Sequence, residues 1–155
     1  MKDSDNTYRV ALFGHRFFDG HRILDKYLFE LIIDLTVKHS FIEIYIGCNG
    51  EFDVYAASVV KKAKRVLGNS NCELICVLPY ANKDIEYYEE YYDSVQIFEK
   101  NGCHPKRLIT ERNRRLVEIS DLIICYVERK GGGAYSAMKY AERIHKEVIN
   151  VAMYS

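Results

Sequence analysis

The chain has no excess of charge of either sign: 22 Lys and Arg residues are matched by 22 Asp and Glu. Without a net positive field it lacks the general attraction to phosphate backbones that drives sequence-independent nucleic-acid binding, so nucleic acid is not the expected partner, although a local basic patch is compatible with this balance. No CxxC pair occurs among the five cysteines, Cys48, Cys72, Cys76, Cys103 and Cys125. Their odd number and their placement in or beside apolar runs suit reduced thiols that bind no structural metal. The segment MKDSDNTYRV has no long apolar signal core, and nothing in the chain resembles a membrane span, so no membrane partner and a cytoplasmic location are expected. A Walker A loop is missing, because Gly14 to Gly20 has the wrong spacing and His21 stands where lysine is required; GxGxxG is missing too. No linker, repeat or low-complexity tract divides the 155 residues, and EYYEEYYD is the only biased stretch. A single domain over 1–155 is therefore expected.

What the chain does contain is a regular alternation. Runs 8–13, 41–47, 73–78, 94–98, 122–127 and 147–153 are short and rich in Val, Ile, Leu, Phe and Tyr, and read as strands. Several are almost continuously apolar, which suits parallel strands covered on both faces. Between them, 21–38, 53–67, 84–92, 110–119 and 134–146 carry helical periodicity, as in Ile23, Tyr27, Leu31 and Leu35. Asp53 and Thr110 have the side chains of helix caps. The expected fold class is α/β, a Rossmann-like three-layer sandwich with a mainly parallel sheet flanked by helices. Ligands of such sheets lie beyond the carboxyl ends of the strands. Eight of the nine glycines, all but Gly68, follow a proposed strand.

The candidate site residues are read from those post-strand segments. Gly14-His15-Arg16 ends an apolar strand abruptly and could offer a phosphate backbone amides and a planar guanidinium fork. Gly47 to Asp53 brings Glu51 and Asp53 to the same edge, where they could bind ribose hydroxyls; Asp53 as a cap and Glu51 beside the positive helix end are compatible roles. Thr110-Glu111-Arg112-Asn113 reads as a helix start whose dipole, with the Arg112 and Asn113 side chains, could attract an anion. Gly131-Gly132-Gly133 with Ser136, ahead of another helix, has the ingredients of an anion cradle. The charged pair Arg114 and Arg115 and the KKAKR run at 61–65 read as solvated helix faces. Tyr87, Tyr88, Tyr91 and Tyr92 share a helical side that suits packing on the sheet better than base stacking. Cys72 and Cys76 suit core packing, and His39, His104 and His145 assemble into no metal site or catalytic triad by spacing.

Taken in order, FGHR, GCNGEFD, VLPY, TERNRRLVEISDLIICY and GGGAYSAMKYA resemble the SLOG superfamily over nearly the whole chain, especially its small bacterial GHR-containing branch. That superfamily is Rossmann-like and includes nucleotide-related ligand sensors, DNA-processing protein A and the LOG phosphoribohydrolases, which activate cytokinins. The resemblance implies that Gly14, His15 and Arg16 contribute to the pocket together with Gly47, Glu51 and Asp53. It also matches Arg112 and Asn113 to the family's RN element, and Gly132, Gly133 and Ser136 to its phosphate loop. The chain departs from the phosphoribohydrolases in two ways: Ala134-Tyr135 interrupts their GGxGT form, and Ala137-Met138 stands where their catalytic Glu is expected.

The expectation is thus a binder, and in one reading a sensor, of a nucleotide or nucleotide-derived small molecule. Phosphate contact falls to Arg16, Arg112 and the 131–133 loop, and ribose contact to Glu51 or Asp53. The competing readings are an N-glycosidic-bond hydrolase or transferase, in which Glu51 or Asp53 stabilises charge on the sugar, and a DNA-processing accessory protein. The first lacks a complete catalytic constellation, and the second conflicts with the zero net charge and the acidic Tyr segment. No motif calls for a cofactor, and homo-oligomer formation is left open.

Overall fold

Strands buried on both faces need mostly apolar side chains, and the chain supplies them: in LIICY all five residues are buried, and in FIEIYI all but the first, the buried Glu43 being paired with Arg9. In the computed structural model, residues 6–19, 22–48, 50–68, 71–98 and 100–154 are described. They form β1 (Thr7–Gly14), α1 (Arg22–Lys38), β2 (Phe41–Ile46), α2 (Glu51–Leu67), β3 (Cys72–Leu78), α3 (Ile85–Tyr91), β4 (Ser94–Ile97), α4 (Pro105–Ile119), β5 (Leu122–Tyr126), α5 (Gly132–Arg143) and β6 (Glu147–Asn150). The six strands make one sheet in the order β4-β3-β2-β1-β5-β6, and every neighbouring pair is parallel. This is the Rossmann-like α/β fold, and its topological switch point lies between β1 and β5, where such sheets open a crevice.

Strand alternation divides the core in two. Val10 and Leu12 of β1 and Ile42, Ile44 and Ile46 of β2 face Leu24, Leu28 and Ile32 of α1 and Phe52, Ala56 and Val60 of α2. On the other face, Ala11, Phe13, Ile75 and Ile123 meet Leu116 and Val117 of α4 and Ala134, Ala137 and Ala141 of α5. Each fully buried Leu or Ile contributes about 1.5–3 kcal/mol of transfer free energy. The three alanines of α5 leave little between helix axis and sheet, so its first turn comes down close to the end of β1.

Several boundaries differ from those the sequence suggests, each for a local reason. The buried stripe of α1 is Leu24, Leu28, Ile32 and Leu35; of the expected series Leu35 belongs to it and Tyr27 and Leu31 pack at its edge, but Ile23 is 67% exposed. The expected first residue of that helix, His21, lies outside the described residues. α4 begins at Pro105 rather than at residue 110: His104 is its N-cap and accepts the Lys106 N–H through Nδ1 at 3.3 Å. Proline favours the first helical position because its missing N–H is not needed there. Thr110 therefore lies inside the helix and is not its cap. α2 is capped by Gly50 without a side-chain hydrogen bond, which places Asp53 in its first turn and not at its cap. α5 starts at Gly132 and stops at Arg143, because His145 takes a left-handed conformation (φ 64°) and the Lys146 N–H turns back to the Ala141 carbonyl. The last strand ends at Asn150 and passes into a single 3-10 turn, Val151–Tyr154.

The cysteines depart from the all-reduced expectation. Cys48, just after β2, and Cys76 of β3 are linked as a disulfide with Cα atoms 6.8 Å apart, while Cys72, Cys103 and Cys125 are free. Burial pushes the thiols of Cys72 and Cys125 up to about 11 and about 12. Among the tyrosines of the acidic segment, Tyr92 is buried and Tyr88 and Tyr91 pack at the edge of the core, but Tyr87 is 62% exposed. Among the described residues no helix is long and apolar enough to cross a membrane, and no group of three or more His, Cys, Asp or Glu could hold a metal ion.

Candidate functional site

At the carboxyl edge of the sheet the loops after β1, β2 and β5 enclose a cleft of about 720 Å³, walled by α2, α4 and the start of α5. This volume falls within the range of small-molecule sites. Ten of the twelve residues singled out in the sequence line it: Gly14, His15, Arg16, Gly47, Asp53, Arg112, Asn113, Gly131, Gly132 and Gly133. Glu51 and Ser136 do not.

The β1 loop is fixed by backbone. Gly50 comes so close to Arg16 that a Cβ on the glycine would sit 2.8 Å from the Arg16 Cα, and the Glu51 N–H donates to the Arg16 carbonyl at 2.8 Å. The Glu51 carboxylate then accepts the Phe18 N–H at 2.8 Å. Glu51 therefore ties the loop to α2, and it is not among the residues that line the cleft. Gly14 is likewise required by packing: a Cβ there would overlap the ring of Phe52 at 2.1 Å.

His15 is 4% exposed, and its Nε2 accepts the Glu128 backbone N–H at 3.0 Å, joining the loops after β1 and β5. An accepting nitrogen is unprotonated, and burial, then the nearby Arg129, lowers its pKa. It is thus a neutral strut at the switch point that also lines the cleft. The unfolded chain binds a proton near the ordinary value of about 6.5, whereas the folded chain does so less readily. The His15 contribution is then fully present above that pH and is lost as pH falls through it. His15→Gln, which keeps an acceptor but does not titrate, is expected to flatten the fall in urea midpoint between about pH 7 and pH 5. An unchanged slope would remove His15 as its source.

The inner wall is built by α4. Arg112, 5% exposed, donates through Nη1 to the Val77 carbonyl at 3.1 Å and through Nε and Nη2 to Asn113 Oδ1 at 3.1 and 2.9 Å. Both residues lie in the middle of α4, not at its start, so the dipole of that helix plays no part. Burial lowers the Arg112 pKa, while the fields of Asp53 and Tyr80 oppose the shift. The absence of a side chain at residue 47 makes the cluster possible: a Cβ there would lie 3.0 Å from Asp53 Oδ2 and 3.3 Å from Arg112 Nη1.

The remaining wall is the start of α5. Gly131 and Gly132 have φ of 106° and 87°, which favour glycine, and a Cβ on either would meet nothing within 4 Å. No side chain caps the helix. Gly131 to Ala134 line the cleft, and a helix start without a side-chain cap is suited to an anion. Ser136 is exposed on the side of α5 opposite to the buried Ala134 and Ala137, which keeps it out of the cleft.

Four lining residues, Phe17, Tyr80, Arg129 and Lys130, were given no individual role from the sequence. Each lies in a post-strand loop, so the carboxyl-edge rule would have found them had it been applied to every strand. Among the described lining residues, Arg16, Arg112, Arg129 and Lys130 are cations and Asp53 is the only carboxylate. A chain of zero net charge thus concentrates positive potential at one concave surface.

No family model matches the chain, and no curated protein matches it. Solved structures do. DNA processing protein A from Streptococcus pneumoniae matches with a TM-score of 0.66 and 17% identity over 94% of this chain and 50% of its own. Helicobacter pylori DNA processing protein A, which binds single-stranded DNA, matches with a TM-score of 0.64 and 18% identity over 94% of this chain and 65% of its own. The molybdenum cofactor carrier protein of Chlamydomonas reinhardtii matches with a TM-score of 0.59 and 13% identity over 92% of this chain and 74% of its own. The chain thus spans about half to two thirds of the length of the two DNA processing proteins and shares with them a Rossmann-like fold.

Proposed function

We propose that residues 1–155 form a single SLOG-like domain that binds a nucleotide or nucleotide-derived small molecule in the carboxyl-edge cleft, in the role of a ligand sensor. The observation that carries this reading is the uncapped, glycine-led start of α5, which opens onto the same cleft as Arg16, Arg129 and Lys130. Amides, dipole and cations there favour the same kind of group, a phosphate. Arg112 is better suited to holding Asp53 and the wall in place than to clamping phosphate, because its fork already serves Val77 and Asn113. Asp53 is left as the ribose reader. The lone carboxylate and the neutral Ala137-Met138 pair supply no acid and base for cleaving an N-glycosidic bond, which favours binding over turnover.

Arg16→Ala is expected to weaken a nucleoside monophosphate by about 1.5–3 kcal/mol and the matching nucleoside much less, since only the phosphate uses the guanidinium. Isothermal titration reads both, with an unchanged melting temperature excluding general damage. Equal losses would reject the contact. Zero net charge is a weak argument against nucleic acid once the basic residues gather at one cleft and the fold is that of a single-stranded-DNA-binding protein. The same titration with oligo-dT at low salt therefore decides between a small ligand and a strand: tight, salt-sensitive oligomer binding with no mononucleotide binding would replace the proposed reading.

A further inference from the structure

Two aromatic side chains are exposed where burial would be expected. Phe17 is 71% and Tyr80 41% exposed, and both line the cleft. Phe17 follows Arg16 after β1, and Tyr80 follows β3 by two residues. Because β2 lies between these strands, and Gly50 after β2 packs on the Arg16 backbone, the loops that carry the two rings flank the end of β2, where Gly47 adds no side chain to the lining. Tyr80 is close enough to Arg112 for its field to act on the guanidinium, which also feels Asp53. Ile109 of α4 adds an apolar wall on this side. The cleft is therefore chemically divided. Its β1/β5 end has glycine amides and cations; its β2/β3 end has aromatic faces, one aliphatic side chain and a few polar groups that could read the edge of a flat heterocycle.

We infer that Phe17 and Tyr80 form a base-recognition subsite, so that the ligand is a nucleotide lying with its phosphate at the start of α5 and its base between the loops after β1 and β3. Exposed aromatics suit this task because every nucleobase has a face to stack, and their exposed ring surface is covered on binding. This rests on the proposed phosphate site and adds what the phosphate site cannot specify, a preference for a nucleotide over a sugar phosphate.

The test is isothermal titration of AMP and of ribose 5-phosphate into wild type, Phe17→Ala and Tyr80→Ala. Wild type is expected to bind AMP at least about tenfold more tightly than ribose 5-phosphate, and each variant to lose about tenfold for AMP while ribose 5-phosphate stays within about twofold. Loss of both compounds in parallel, or AMP binding unchanged in both variants, overturns the subsite and leaves the phosphate site standing. Failure of wild type to bind either compound overturns the nucleotide reading, and the base subsite with it. Melting temperatures of the exposed-residue variants guard against misfolding, and Phe17→Tyr, which keeps a stacking face, is expected to retain AMP binding.

Discussion

Gly14→Ala is expected to lower the stability of the fold by about 2–3 kcal/mol, the upper part of the range for overpacking a core. The added carbon would lie 2.1, 2.2 and 2.5 Å from Phe52 Cγ, Cδ2 and Cβ, inside any tolerable contact. Phe52 cannot swing away, because it is fully buried and packs against Phe18 and Tyr126 with ring centroids 5.3 and 5.9 Å away. Nor can β1 yield readily, since Gly14 lies in register with Tyr126 of β5 at the end of the ladder. The displacement would pass to the first turn of α2 and so to the Gly50–Arg16 contact, coupling lost stability to a distorted cleft. Urea denaturation reads the loss. Gly14→Ala/Phe52→Leu, with a smaller side chain facing the new carbon, is expected to lose less than the two single changes combined. A single-variant loss below about 0.5 kcal/mol would show that the helix moves freely and that Gly14 is not held by packing.

Arg112→Leu is expected to cost about 3 kcal/mol and to weaken any ligand of the cleft as well. Leucine fills part of the volume but leaves the Val77 carbonyl and Asn113 Oδ1 without the donors they have now. It also removes the positive charge beside the half-buried Asp53 carboxylate, and leaving buried acceptors without their donor costs more than the pair contributes. Arg112→Lys retains the charge but not the fork, since one ammonium cannot reach both acceptors in the guanidinium geometry, and an intermediate loss is expected. Asp53→Ala in the Arg112→Leu background is expected to cost less than in the wild type, because the guanidinium whose field the carboxylate shares is already gone. Double-mutant analysis by urea denaturation measures this; strict additivity would show that Asp53 and Arg112 are energetically independent.

The division between what was legible and what was not follows the range of the forces involved. Strand runs such as LIICY and the alternation with helical segments are local patterns, and they were enough to give the parallel sheet and, through the carboxyl-edge rule, ten residues of one cleft. The start of α4 is legible too, in Pro105 and the polar residue before it, whereas the cap-like Thr110 lies inside the helix. In α1 the periodicity reaches the buried Leu35, but the helix is apolar on more than one side, and only contact with α2 and the sheet selects Leu24 over Ile23.

By itself, then, the sequence determined the fold class, the edge of the sheet at which the cleft opens and ten of the residues that line it, because these follow from periodicity and chain order. What each residue does was decided by tertiary contacts between segments far apart in the chain. Gly14 is held by Phe52, 38 positions away; Glu51 is turned to the Phe18 amide, His15 to the Glu128 amide, and Arg112 to the end of β3. A hydrogen bond or a steric contact acts over a few ångströms. Which partner satisfies a buried polar group therefore depends on how the loops of the folded sheet meet, and no spacing along the chain records that.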